Sequence, residues 1–329
     1  MRTLYVSRQG CTIRLSKTYC LEIQHRQQTL DRIQLPHLEQ IAIFGRSEIT
    51  TPALRACLER DIPIAHLSRS GYCYGRTTPI ARGMRHLARQ QQQLSDNDRL
   101  EIAKAIVRAK LHNSRIFLQR QNRRHPDPQL QLAIDSLAYL HDKAENSTTT
   151  ASLMGIEGAG ASHYFSSFGH CLRQPGFQFG GRHKRPPTNP ANALLSFGYA
   201  LLWNHILSQI ELHGLDPYQA CLHSGSDRHP ALASDLIEEF RTPIIESIIT
   251  RLVNNRAIDP DLHFEYRDSG CFLNSDGRRR FISSFIRHMD EPQGDHDPQP
   301  RWDRIVAQVK ALRDRIADNA RAYVPYRIR

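Results

Sequence analysis

The stretch CLHSGSDRHPALASDLIEEF, residues 221–240, decides how the chain is read, because it joins ligand-type side chains to a helix start. His223 falls on a loop ahead of a helix opened by Pro230, and Asp235, Glu238 and Glu239 occupy that helix's early turns. Residues three and four apart share a helix face, so Asp235 stands beside Glu238 or Glu239. Leu236, Phe240, Ile244 and Ile248 mark one apolar stripe, and Leu232 with Asp235 and Glu238 marks an adjacent one. Glu238 is therefore the better inward candidate. The motif needs a second carboxylate from elsewhere, and GIEGAGASHYF, residues 155–165, offers Glu157 on a helix of small residues.

That upstream helix gives up stability. Gly155, Gly158 and Gly160 lie in its interior, each costing roughly 1 kcal/mol against alanine. Close approach of a neighbouring helix is the expected return, and it would carry Glu157 toward His223 and Glu238. Singly, each residue has an ordinary role: Glu157 as a solvated helix acid, His223 as a structural histidine, Asp235 as a carboxylate at a helix N-terminus. Together they supply the imidazole and oxygen donors of a divalent-metal site. His223, Asp227 and His229 match no familiar zinc spacing and are set aside.

The rest of the chain divides in two. Its 329 residues favour two domains, expected as a small β domain over 1–75, a linker over 76–85 and a larger α-helical domain over 86–329. This is an α+β multidomain chain. TLYVS, CTIRLS, YCLEIQ and QIAIFG read as strands, Thr50-Thr51-Pro52 starts a short helix, and IPIAHLS turns at Arg69-Ser70-Gly71 into YCYG. Beyond the Pro- and Gly-bearing linker, the helical period dominates. Ile102, Ile106, Ala109, Asn113, Ile116 and Phe117 form one stripe; Leu130, Ala133, Leu137 and Leu140 form the next. Asn189-Pro190 starts a long helix ending at Gly214, with Asn192, Ser196 and Tyr199 interrupting its apolar surface. FEYRDSGCFLNSDGRRR predicts a hairpin turning at Asn-Ser-Asp-Gly and feeding a helix, EPQGDHDPQP a loose linker, and Trp302 to Tyr323 a final helical stripe.

Forty-four Lys and Arg against 33 Asp and Glu leave a formal charge of +11, which favours a polyanionic partner. Arg182, Lys184 and Arg185 on a Gly- and Pro-rich loop suit phosphates, and Arg278 and Arg279 enlarge the basic surface. Seven cysteines without any CxxC argue against a zinc ribbon or a secreted disulfide scaffold, and no run approaches the ~20 apolar residues of a membrane span. A cytoplasmic protein is expected.

ITTPALRACLERDIPIAHLSRSGYCYG, IVRAKLHNSRIFLQR, LMGIEGAGASHYF, RHKRPPTNPANALLSFGYALL, GLDPYQACLHS and ALASDLIEEFRTPI, in this order over nearly the whole chain, resemble the CRISPR-associated spacer-acquisition integrase family, historically described as metal-dependent DNA endonucleases. The resemblance implies a dimerising N-terminal β domain, an all-helical catalytic domain, and a metal bound by Glu157, His223 and Glu238, with Asp235 as a neighbouring or alternative ligand. Asn192 matches the family's near-site asparagine. Thr188-Asn189 stands where an aspartate is common before the proline, and asparagine still caps a helix.

Hard oxygen donors with one imidazole suit Mg2+ or Mn2+. Such an ion favours in-line attack of a 3′-hydroxyl on a phosphodiester, and the exchange needs no ATP, in keeping with a sequence that lacks GxxxxGK[ST]. The expected activity is insertion of short DNA fragments into a CRISPR array in prokaryotic antiviral immunity. The expected partners are DNA, a second copy of the chain, and a small ferredoxin-like companion protein. The competing readings are a branched-DNA nuclease and a non-catalytic DNA-binding scaffold.

Overall fold

The computed structural model describes residues 3–80, 85–223, 229–293 and 298–329. The expected linkers at 76–85 and 291–300 and the loop after His223, with Asp227, lie partly or wholly outside them. The chain forms two compact units, Met1–Arg82 and Gly83–Arg329.

The first unit holds two four-stranded sheets. One runs β1 (Thr3–Val6), β5 (Gln40–Phe44), β7 (Ile64–Leu67), β8 (Cys73–Thr77), with only the last pair antiparallel. The other runs β4 (Gln28–Gln34), β3 (Cys20–His25), β2 (Cys11–Leu15), β6 (Glu48–Ile49). Alternation turns Ile13, Leu21, Ile23, Ile41 and Ile43 inward, where Ala53, Ala56 and Cys57 of α1 (Thr51–Leu58) join them in one core. Each fully buried aliphatic side chain contributes roughly 1.5–3 kcal/mol. Strand β4 has no counterpart among the expected strands; QTLDRIQ is exposed or half-exposed along its whole length and shows no apolar alternation.

The second unit is helical. After α2 (Arg85–Gln92), the long α3 (Asp96–Arg124) starts where Ser95 accepts a hydrogen bond from the Asp98 amide, and α4 (Pro128–Glu145) starts where Asp127 accepts from Gln129. Both pack on α5 (Thr150–Phe168), the helix of Glu157. Its glycines divide unexpectedly. A Cβ at Gly155 or Gly158 would meet nothing within 4 Å, so these two do not admit a neighbouring helix. Gly160 does: a Cβ there would lie 2.3 Å from Leu111 Cδ2 of α3. One glycine, not three, sets how close α5 lies to α3.

The next helix, α6 (Pro190–Leu212), is capped by Asn189, which accepts from the Asn192 amide at 2.9 Å. Short α7 (Ala231–Ile237) carries Asp235 and delivers Glu238 at its end. A π-helical turn, Arg241–Glu246, follows before α8 (Ser247–Asn254). A hairpin of β9 (Phe264–Arg267) and β10 (Gly270–Leu273) leads into α9 (Ser275–Asp290), and α10 (Arg301–Ala317) comes last. The hairpin turns at Asp268-Ser269, both at positive φ, not at Asn-Ser-Asp-Gly; Asn274 instead caps α9 by accepting from Asp276 and Gly277. Tyr323 lies beyond α10, in an extended tail.

Candidate active site

Helices α3, α5 and α7 bring Glu157, Glu238 and Lys110 together. Lys110 projects from the buried face of α3 and forms ion pairs with Glu157 and with Glu238, the latter at 2.7 Å between Nζ and Oε2. On its other side Glu238 Oε1 lies 3.1 Å from the Arg241 guanidinium. Burial opposes both charges, but each sustains the other: Glu238 and Glu157 hold the Lys110 pKa above its ordinary value, and Arg241 and Lys110 hold the Glu238 carboxyl well below the usual carboxylate range. Glu238 Oε2 is fully buried, with the Lys110 ammonium as its partner.

His223 is placed by Asp235. The Asp235 carboxylate is wholly buried and accepts from the backbone amides of Cys221 at 2.6 Å, Leu222 at 2.9 Å and His223 at 3.0 Å. Its Oδ1 also lies 2.7 Å from His223 Nδ1. The hydrogen bond that His223 Nδ1 donates to Asp235 raises the imidazole's pKa; burial acts against it, and the negative fields of Asp235, Glu238 and Glu157 add to the rise. The bond commits Nδ1 and leaves Nε2 as the other ring nitrogen.

Asn192 anchors the basic loop. Its Oδ1 accepts from the Arg182 guanidinium at 3.0 Å and the His183 amide at 2.9 Å, while its Nδ2 donates to the Gly181 carbonyl at 2.9 Å. Arg182 also donates to Ser196 and lies over the Tyr199 ring, with Arg241 over the same ring at 4.9 Å. Lys184 and Arg185 are exposed. Partial burial of its ammonium and the positive fields of Arg241 and Arg182 lower the Lys184 pKa, and the field of Glu238 opposes the fall.

Two of the expected basic residues behave differently. Arg278 is buried, donating to the Leu273 carbonyl at 2.6 Å, and so does not enlarge the basic surface. Arg279 is exposed and pairs with Asp276. The sequence reading missed Lys110 and Arg241. The signal for Lys110 was its position within the stripe of Ile106, Asn113 and Phe117, where a lysine has no water to reach.

Among the described residues no three His, Cys, Asp or Glu side chains stand close enough together to hold a metal ion, and the Lys110 ammonium is the cation that Glu157 and Glu238 share. No helix there is long and apolar enough to cross a membrane, and all seven cysteines are free thiols.

Residues 4–287 match the family model of CRISPR associated protein Cas1. A CRISPR-associated endonuclease Cas1 of Thermus thermophilus is 32% identical over 98% of each chain. A CRISPR-associated exonuclease Cas4/endonuclease Cas1 fusion of Rhodospirillum rubrum is 35% identical over 84% of this chain, which spans about half of that relative, 48%. A CAS1 protein from Thermotoga maritima has the same fold, with a TM-score of 0.82, 26% identity and 97% of each chain covered.

Proposed function

The chain belongs to the CRISPR associated protein Cas1 family, and from that premise we propose that it is a metal-dependent DNA integrase and endonuclease that inserts short fragments into a CRISPR array. The observation that carries this reading is the meeting of Glu157 and Glu238 at one cation, Lys110, beside a histidine oriented by Asp235. Two carboxylates and an imidazole are a donor set suited to Mg2+ or Mn2+, and Glu238 Oε2, which the Lys110 ammonium now occupies, is an oxygen such an ion would gain by displacing that cation. Glu157, His223 and Glu238 would hold it, and when bound it supplies Lewis-acid stabilisation of a phosphoryl oxygen and of the leaving 3′-oxygen.

Asp235 serves a different end in this reading. Its carboxylate is already engaged by three amides and by His223, so it orients the imidazole and fixes which nitrogen faces the site. Lys110 and Arg241 balance the buried acids. Lys184 and Arg185, on the loop that Asn192 anchors, grip DNA phosphates and position the strand without reading its sequence. The protein acts in the cytoplasm as a homodimer with a small ferredoxin-like companion.

The endonuclease designation of the Thermus relative favours a second reading, hydrolysis of branched DNA as the physiological act. A fragment with a free 3′-hydroxyl, offered with a target duplex and Mn2+, distinguishes the two. Joined strands support integration; cleavage without joining supports hydrolysis. Full metal-supported activity in Glu157→Ala, His223→Ala and Glu238→Ala would remove the site assignment.

A further inference from the structure

The tail after α10 is bonded to the two helices that present Lys110 and Glu238. Asn113, one turn along α3 from Lys110, is completely buried, and its amide is spent on three backbone groups. Nδ2 donates to the Glu239 carbonyl at 2.8 Å and the Tyr326 carbonyl at 3.0 Å, while Oδ1 accepts from the Ile328 amide at 2.9 Å. Glu239, next in the chain to Glu238 and also wholly buried, accepts from the Tyr326 amide at 2.6 Å and from the Tyr323 hydroxyl. The Tyr326 ring stacks on Phe240 at 5.1 Å, the Ile328 carbonyl pairs with His112 at 2.9 Å, and Arg120 donates to the Arg329 carbonyl.

We propose that residues 323–329 are a strap that fixes the segment of Glu238 against that of Lys110, with Asn113 and Glu239 as positioning residues of the active site. The inference rests on the reading of Glu238 as an active-site group. Its physical basis is adjacency: the strap's bonds end one residue from Glu238 and three from Lys110, so the backbone segments that carry those side chains cannot shift apart without breaking buried hydrogen bonds. A buried polar group left unpaired is expensive, which makes the arrangement close to all-or-none. The strap lies outside residues 4–287, the part matched by the family model. Among residues 324–329 no side chain is fully buried, so these residues add little to the core and much to the hydrogen bonding of α3 and α7.

The test compares three variants of the 329-residue chain: Asn113→Ala, a chain ending at Pro325, and Glu238→Gln. Joining of a 3′-hydroxyl fragment to a duplex is measured with Mn2+ well below each melting temperature, resolving kcat from the KM for DNA. Misplacement by about 1 Å costs up to roughly 100-fold, so a fall in kcat of about 10- to 100-fold with KM unchanged within about 2-fold is expected for the first two forms. A loss confined to KM, or unchanged kcat in the chain ending at Pro325 while Glu238→Gln is inactive, overturns the strap and leaves the site reading intact. Full activity in Glu238→Gln overturns the site reading and the strap with it. Should Asn113→Ala fail to fold, the shortened chain decides the matter, since it removes the hydrogen bonds of residues 326–329 together with one ring contact, that of Tyr326 on Phe240.

Discussion

Asp235 holds His223 twice over: one carboxylate oxygen accepts from the His223 amide at 3.0 Å and lies 2.7 Å from the Nδ1 of the same residue. The loop backbone and the ring are thus registered by a single acid. In Asp235→Asn one acceptor becomes a donor facing amide N–H groups, so the loop from Cys221 to His223 loses bonds worth about 1–3 kcal/mol. Strand joining should fall roughly 10- to 100-fold, the usual penalty for losing the partner that orients a ligand. An NMR titration provides the direct check: the His223 pKa, raised in the native protein by the bond to Asp235, should drop. An unchanged titration would mean that Asp235 does not orient the ring.

Lys110 occupies the position between Glu157 and Glu238, and its removal has opposite effects with and without a divalent ion. Lys110→Met leaves the buried Glu238 and the half-buried Glu157 with Arg241 as the nearby cation, a loss of roughly 3–5 kcal/mol for the metal-free protein. Added Mn2+ replaces the missing charge and stabilises the folded state in proportion to its binding. Melting curves with and without Mn2+ should show a lower metal-free Tm in the variant and a larger rise on adding the ion than in the native protein. An equal rise in both would exclude competition between the ammonium and a metal.

How far these relationships were legible in the sequence depends on what each one is made of. Glu157, His223 and Glu238 stood out because ligand-type side chains on loops and helix starts are recognisable by type and spacing. The function of Asp235 was not visible, since a sequence does not say whether a carboxylate's lone pairs are taken by backbone amides. Arg278 reads as surface within an arginine triplet, yet it falls three residues before Phe281 and seven before Phe285, on the face that α9 buries. Helical period outweighs charge there. Edge strand β4 lacks alternation because only Ile33 of its apolar residues packs against the core, while Leu30 stays exposed. The tail was least legible of all: it works through the amides and carbonyls of Tyr326 and Ile328, which no side-chain pattern encodes.

His288 supplies a pH dependence removed from the acidic cluster. It is buried in α9, its Nε2 donating to the Pro243 carbonyl in the π-helical turn and its Nδ1 meeting Arg251, with Glu291 and Arg301 alongside. Burial and the neighbouring Arg301 charge lower its pKa to about 4. Between pH 6.5 and about 4 the unfolded chain takes up a proton that the folded chain refuses, so stability falls as the pH falls through that window, by at most about 3 kcal/mol. Denaturant titrations at pH 7 and pH 4.5 should show this loss in the native protein and a smaller one in His288→Gln, whose amide is uncharged throughout.

Lys184 and Arg278 were expected to act alike on DNA, and the structure separates them. Lys184 is an exposed residue, its ammonium partly covered, on the loop anchored by Asn192, so Lys184→Ala should weaken DNA binding similarly across sequences and reduce the salt dependence of log K by about one unit. Arg278 is buried, and its guanidinium is bonded to the carbonyl that ends β10. Arg278→Ala should leave the salt slope unchanged and lower stability by about 1–3 kcal/mol, the cost of an unpaired buried carbonyl. Binding isotherms at several salt concentrations, run beside denaturant curves for both variants, test the division. A reduced salt slope in Arg278→Ala would return that residue to the DNA-binding surface.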